Sequence, residues 1–378
     1  KLMTRALAQA LSRDEAEIAH RLMGDWTPDS TTWAALIESH DPTDTLSRPY
    51  PFCLAYGLED DPESLGSPAD WLAEWKWDGI RGQVIVRAGQ IFVWSRGEEL
   101  MTDRFPELAP LRDLLPDGTV IDGEILAHDG TAPLPFAALQ KRITRKTVPK
   151  KLLTEAPVIV MAYDLLEHDG RDLRDTPFAD RRDRLDQLIA DLPDTAPLRP
   201  SPAIPFTTWD DLETTRATAR DDRAEGLMLK RRSGPYHAGR KKGDWWKWKL
   251  DPLTLDAVMI YAQQGHGRRA NLFTDFTFAV WDGDRLVPFT KAYSGLTDAE
   301  FRQITNWVRR NTTERFGPVR QVRPEHVFEI AFEGIQASPR HKSGVALRFP
   351  RMARWRHDKP PAEANTIADL RAMLAQYG

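Results

Sequence analysis

Two short stretches far apart in the chain alternate tryptophan with charge at a period of two. Trp75 and Trp77 stand against Lys76 and Asp78, and Trp246 and Trp248 stand against Lys247 and Lys249. Successive side chains of a strand point to opposite faces, so each stretch predicts a strand with tryptophan on one face and lysine on the other. The alternation continues through Ile80, Val84 and Val86, and Ala88-Gly89 reads as a turn into a strand over Ile91–Ser95. Further strands are expected at Thr119–Leu126, Pro157–Leu166 and Gly226–Lys230, with a charged helix over Phe178–Ala190 between them. This mixture predicts an α+β fold with mainly antiparallel pairing.

A length of 378 residues exceeds a single small core, and at about 150 residues per domain it predicts two to three domains. The first 40 or so residues read as helical: Ser12 and Glu15 have capping-box spacing, Ile18, Leu22 and Met23 form a partial apolar stripe, and a second short helix is expected at Thr32–Glu38. Asp41–Pro51, with Pro42, Pro49 and Pro51, has linker composition. Beyond Lys249, strands are expected at Asp256–Tyr261, Thr274–Trp281, Leu286–Tyr293 and His326–Phe332, interrupted by one helix, Thr297–Asn311. Short strands with one helix fit a small β-barrel of the oligonucleotide-binding (OB) type. Ala364–Tyr377 reads as a packing helix. The expected division is therefore 1–45 helical, 46–250 α+β, and 251–378 a barrel with a C-terminal helix.

No apolar run approaches the ~18 residues of a membrane span, so no membrane association is expected. The one cysteine, Cys53, excludes an internal disulfide and a cysteine-based zinc cluster; it reads as a small buried residue, and a cytoplasmic setting is expected. The chain opens on Lys1 without a secretory pattern; either further residues precede it or a longer helical segment has been lost. The net charge of −4 argues weakly against a nucleic-acid partner, but the total conceals segregation. Residues 1–75 hold 14 acidic and 5 basic side chains, whereas Lys141–Lys151 holds six basic and no acidic ones. Lys230–Lys249 has eight Lys/Arg against Asp244 alone, and Arg340–Lys359 has seven against Asp358 alone. Such patches suit a phosphate backbone, although a solvated face is the simpler reading of any one of them. Gly265-His266-Gly267-Arg268-Arg269 reads either as a loop that approaches such a backbone or as an exposed turn.

The sharpest local signal is Glu74-Trp75-Lys76-Trp77-Asp78-Gly79-Ile80-Arg81. A lysine side chain at its reference pKa of about 10.4 is protonated and inert as a nucleophile; nearby cations, a metal ion or burial free the amine. Lys76 beside a glycine turn and an arginine has the surroundings such a nucleophile needs, although a surface strand ending in an Asp-Gly turn has the same pattern.

The chain then carries, in order, Ser95-Arg96-Gly97, Asp122-Gly123-Glu124, Tyr163-Asp164, Glu225-Gly226-Leu227-Met228-Leu229-Lys230, Trp246-Lys247-Trp248-Lys249 and Arg356-His357-Asp358-Lys359. With the Lys76 string, this ordered set resembles the collinear motifs of the covalent nucleotidyltransferases, and more particularly the ATP-dependent DNA ligases of bacterial type. The resemblance covers about residues 50 to 360. It implies an antiparallel-sheet nucleotidyltransferase (adenylation) domain followed by an OB-fold barrel, preceded by a segment too short for a complete helical DNA-binding domain. It also implies ATP and nicked duplex DNA as substrates, Mg²⁺ or Mn²⁺ as the metal, and a monomer.

By the same resemblance Lys76 is the nucleophile that takes AMP from ATP, and Lys247 and Lys249 grip the α-phosphate. Glu124 and Glu225 lie at the ribose and the metal, Tyr163 stacks on adenine, and Glu74 reads its amino group. Arg81 and Arg96 contact the ribose and the nicked strand, and Lys230 ends the Glu225 motif as a further nucleotide contact. Arg356, Asp358 and Lys359, on the barrel, orient the pyrophosphate leaving group, which implies a hinge near Leu250-Asp251-Pro252. An RNA ligase or an RNA-capping guanylyltransferase shares this lysine chemistry, and a nucleic-acid-binding module that has lost catalysis is a reading of a different class.

Overall fold

The computed structural model describes residues 2–13, 15–22, 29, 31–37, 46–97, 99–145 and 147–378. The chain divides into two compact units, 1–250 and 251–378.

The first unit is built on two sheets. One has five strands in the order Ala203–Ile204, Trp71–Trp77, Ala224–Arg231, Trp245–Lys249 and Tyr56–Gly57; all its pairings are antiparallel except the last. The other runs Gln90–Ser95, Ile80–Arg87, Thr119–Ala127, Val158–His168 and Arg171–Asp172, antiparallel throughout, with Leu198–Pro200 added parallel to Val158–His168. The chain crosses from the first sheet to the second at Asp78-Gly79. A Cβ on Gly79 would lie 2.4 Å from the Ile125 carbonyl oxygen, so glycine is what lets the new strand pair at once with Thr119–Ala127. Ala88 and Gly89 both have positive φ, the geometry of a two-residue hairpin that continues the strand twist.

Alternation sorts the faces of the first sheet. Trp71, Ala73, Leu227, Leu229, Trp246 and Trp248 bury one face against Trp209 and Leu212 of the helix Trp209–Ala217, which begins with a Thr208/Asp211 capping box. The opposite face packs on the second sheet, where Trp245 and Met228 meet Ile85, Val120, Tyr163 and Leu166. The far face of the second sheet buries Val84, Ile121, Val160 and Leu165 against Leu185 and Ile189 of the helix Phe178–Ala190. The lysine faces of both tryptophan strands therefore turn inward, toward the space between the sheets.

Among the described residues, the helices Leu2–Leu11, Glu15–Leu22 and Trp33–Ile37 occupy the N-terminal segment. Thr32 caps the third, its hydroxyl accepting from the Ala35 N–H at 3.2 Å. Ser12 does not cap the second. It ends the first helix at φ 51, outside the extended conformation an N-cap adopts. Met23, Glu38 and the linker residues 41–45 lie outside the described residues. The end of that linker is tied to the second sheet, because Gln83 exchanges two 2.8 Å hydrogen bonds with the Tyr50 backbone.

The second unit is an OB-type barrel sheet of seven strands. Leu253–Gln264 is its spine: one edge pairs with Phe273–Asp282, and the other pairs first with Val327–Phe332 and then with Val319–Val322. The helix Asp298–Asn311, opened by a Thr297/Glu300 capping box, covers the core through Phe301, Ile304 and Val308. The C-terminal helix Ile367–Tyr377, capped by Thr366, packs Ile367 and Leu370 on the same core. Sequence periodicity missed the strands Thr312–Phe316, Val319–Val322, Gly334–Ala337, Val345–Arg348 and Arg351–Arg356. The first of these is nearly all exposed, so it carries no apolar alternation to find. No helix among the described residues is long and apolar enough to cross a membrane.

Candidate active site

Lys76 and Glu74 lie on one face of Trp71–Trp77, the strand that leads into the Asp78-Gly79 crossing. The neighbouring strand meets it irregularly. Ala224 pairs with Trp77 and Leu227 with Trp75, which leaves Glu225 and Gly226 together opposite Lys76 in a bulge. Gly226 has φ +133°, and a Cβ there would come within 2.3 Å of the Trp248 carbonyl oxygen. The bulge delivers the Glu225 carboxylate to Lys76: Lys76 Nζ donates to Glu225 Oε2 at 2.5 Å, and Lys249 Nζ lies 3.2 Å from the same oxygen. Burial raises the Glu225 carboxyl, but Lys76 and Lys249 outweigh it and hold the group below the ordinary carboxylate range.

Gly226 pairs with Lys249 and Met228 with Lys247, so the two lysines share the face of Lys76. Burial pushes the Lys247 ammonium down, and Lys249, Arg240, Lys76 and Arg96 push it further in the same direction. Five cations thus converge where the strands end. Glu124 closes the site from the second sheet, where it pairs across from Arg81. Burial pushes its carboxyl up to about 7; Lys76 and Arg81 oppose this, while Asp78 and Glu225 add to it.

Arg81 is anchored by partners of its own. It binds Asp122 in a two-pronged pair (Nε to Oδ1 3.1 Å, Nη2 to Oδ2 2.6 Å), and Tyr236 also donates to Asp122 at 2.6 Å. Tyr163 sits at an irregularity of the Val158–His168 strand, with Arg81 5.8 Å and Lys230 4.2 Å from its ring centre. Lys230 is buried, lies 2.6 Å from Glu74 and donates to the Tyr163 carbonyl oxygen at 3.3 Å; burial pushes its ammonium down against the pull of Glu74. The structure therefore divides the expected residues of the first unit into two clusters. Lys76, Glu124, Glu225, Lys247, Lys249 and Arg96 form a charged end, and Glu74, Tyr163 and Lys230 form an aromatic end two residues back along the strand.

The charged end can neutralise a polyphosphate beside an amine. It also fits a hard divalent cation: the Glu124 and Glu225 carboxylates lie close enough to act on each other, and burial, with Asp78 and Glu225 adding to it, pushes the Glu124 carboxyl up despite Lys76 and Arg81. Mg²⁺ commonly takes one or two protein carboxylates and completes its shell with water and substrate phosphates.

Arg356, Asp358 and Lys359 lie in the second unit. Arg356 chelates Asp358 (Nε to Oδ1 2.9 Å, Nη2 to Oδ2 2.8 Å), and Arg356 and Lys359 both donate to Asp256 Oδ2, at 2.9 and 2.8 Å. That pairing, led by the hydrogen bond to Arg356, holds the Asp358 carboxyl well below its ordinary range. Asp256 was invisible as a partner in the sequence, about a hundred residues away, as were Asp122 as the anchor of Arg81 and Arg182 as a partner of Glu74.

The basic runs fare differently. In Lys141–Lys151, Arg142 is fully buried on Glu107 and the backbone carbonyls of Arg104 and Ala156, while Lys141, Arg145, Lys150 and Lys151 are exposed; Lys146 lies outside the described residues. Arg269 of the glycine-flanked loop pairs with Asp298 at 2.8 Å, and Arg268 is exposed. Cys53 is buried, and burial, opposed by Arg81, pushes its thiol up to about 11.

Residues 59–249 match the family described as ATP dependent DNA ligase domain, and residues 269–359 match ATP dependent DNA ligase C terminal region. A "Probable DNA ligase" of Opitutus terrae is 40% identical over 82% of this chain and 33% of its own length, and one of Koribacter versatilis is 34% identical over 96% and 66%. The chain thus spans less than two thirds of either. A third, from Streptomyces avermitilis, is 34% identical over 97% of this chain and 72% of its own. Among solved structures, a Lig E DNA ligase matches with a TM-score of 0.55 at 19% identity, covering 82% of this chain and 100% of that one, and Pmar-Lig with 0.63 at 17%, covering 81% and 68%. The antiparallel two-sheet unit, the OB barrel and both family matches agree, and the chain belongs to the ATP-dependent DNA ligases.

Proposed function

We propose that the chain seals nicks in duplex DNA at the expense of ATP. Lys76 Nζ, once deprotonated, attacks the α-phosphorus; a P–N bond forms, the bond to the β-phosphate oxygen breaks, and pyrophosphate leaves. The AMP then passes to the 5′-phosphate of a nick, regenerating the lysine, and the 3′-hydroxyl displaces AMP as the phosphodiester forms. The observation that carries this reading is the convergence of Lys247 and Lys249 on the face that holds Lys76, with Glu225 bridging Lys76 and Lys249. Such steps concentrate negative charge on transferring oxygens, and positioned cations supply most of the stabilisation. Glu124 and Glu225 would hold a Mg²⁺ or Mn²⁺ ion, which when bound adds positive charge at the phosphates. Glu74, Tyr163 and Lys230 would seat the base, and Arg81 and Arg96 the ribose and the broken strand. Residues 46–250 would form the adenylation domain, 251–378 the OB domain supplying Arg356, Asp358 and Lys359, and 1–45 part of a DNA-binding segment. The reading takes the protein as a monomer acting in the cytoplasm.

Incubation with α-labelled ATP and Mg²⁺ is expected to label the protein through an acid-labile bond, and Lys76→Ala is expected to abolish the label. Labelling by GTP and not ATP would move the chain to capping chemistry. Sealing of a nicked RNA duplex in preference to DNA would make it an RNA ligase.

A further inference from the structure

Glu74 carries a buried charge, 1% exposed, on the face of the strand that holds Lys76. Two residues of strand separate them by about 7 Å, which sets Glu74 toward the base of a nucleotide whose α-phosphate meets Lys76. A carboxylate only accepts hydrogen bonds. It matches the exocyclic amino group of adenine and opposes the carbonyl that guanine places at the same ring position. Such discrimination depends on where the carboxylate is held, and Glu74 is held from two sides. Lys230 is 2.6 Å from one oxygen, and Arg182, of the helix Phe178–Ala190, donates to the other through Nη1.

Arg182 is itself fixed at three points. Nη1 binds Glu74, Nη2 binds the Ser201 carbonyl oxygen, and Nε donates to Asp186 Oδ1 at 2.8 Å. A guanidinium with all three nitrogens committed cannot swing, so it transmits the position of the helix to the carboxylate. It belongs to none of the seven motif strings. We propose that Arg182 is a positioning residue that fixes the Glu74 carboxylate and thereby sets the preference for adenine over guanine. This rests on the reading of Lys76 as the nucleophile toward ATP.

The test is covalent labelling of the full chain with α-labelled ATP and GTP, in wild type, Arg182→Met, Arg182→Lys and Asp186→Asn, with thermal melting run in parallel. Lys230 leaves a cation on Glu74 in every variant, so the carboxylate stays compensated. Arg182→Met is expected to raise the KM for ATP and lower the ATP-over-GTP ratio by at least about tenfold, with the labelling rate at saturating ATP within about threefold of wild type. Arg182→Lys is expected to recover part of the ratio, since an ammonium keeps the charge and loses the fork. Asp186 is half exposed, and Asp186→Asn loosens only one of the three anchors; a fall of about threefold is expected, and this variant carries the test if Arg182→Met does not fold. An unchanged ratio in the folded variants overturns the role of Arg182. A wild type that takes label from neither nucleotide overturns the parent reading instead.

Discussion

Burial and two neighbouring carboxylates push the Glu124 carboxyl from an ordinary value near 4.5 to about 7, against the opposing pull of Lys76 and Arg81. The folded state therefore holds the proton more tightly than the unfolded one. The stability this gives is fully present below about pH 4.5 and is lost as pH rises through about 7. Glu124→Gln keeps the shape and removes the titration. It is expected to be more stable than wild type at pH 8, by on the order of 2 to 3 kcal/mol, with the gap closing toward pH 5. Denaturant unfolding without divalent ions at the two pH values measures this, and an unchanged gap would show that Glu124 does not titrate in that window. Excess Mg²⁺ is expected to stabilise wild type at pH 8 and leave Glu124→Gln nearly unmoved, because a ligand bound only by the native state adds to its stability.

At the scale of elements, the bulge at Glu225-Gly226 does what neither flanking strand could do with regular pairing: it sets a carboxylate against Lys76 while Leu227 and Leu229 keep their place in the tryptophan core. Gly226→Ala meets both a φ of +133° and a backbone oxygen at 2.3 Å. It is expected to cost about 2 to 4 kcal/mol and to abolish ATP labelling even where the protein folds, which unfolding and labelling measured on one preparation would separate. The bulge also marks how far sequence reading reached. The alternation at Trp75–Trp77 and Trp246–Trp248 put the right residues on each face, because a period of two is local information. The helix Trp209–Ala217 that covers the tryptophan face was not legible: only Trp209 and Leu212 of its nine residues are buried, too few to form a stripe. Leu212 is fully buried in that cover, and Leu212→Ala is expected to destabilise by about 3 kcal/mol in denaturant unfolding. Arg142 failed for a related reason. A run of like charges looks solvated in sequence, and only the fold showed that this one is buried on Glu107.

Across the whole molecule, the residues to which the resemblance assigns roles fall in two units, Lys76, Lys247 and Lys249 in the first and Arg356, Asp358 and Lys359 in the second. The resemblance gave the last three a role without showing what holds them, and the structure supplies Asp256. One carboxylate oxygen, on the spine strand of the barrel, accepts from both Arg356 and Lys359, and its partner oxygen is buried without a hydrogen bond. One oxygen placed this way holds two cations side by side. Asp256→Asn replaces an anionic acceptor with a neutral one of the same shape, while Asp358 still keeps Arg356 ordered from its other side. If these cations act on the departing pyrophosphate, the variant should lose only the step in which pyrophosphate departs. Labelling by ATP is expected to fall by at least about tenfold, whereas sealing of a nick already carrying AMP on its 5′-phosphate should stay within about threefold of wild type. Equal losses in both assays would mean that Asp256 serves the barrel fold and not the aim of Arg356 and Lys359, because a damaged domain has no means of sparing one step.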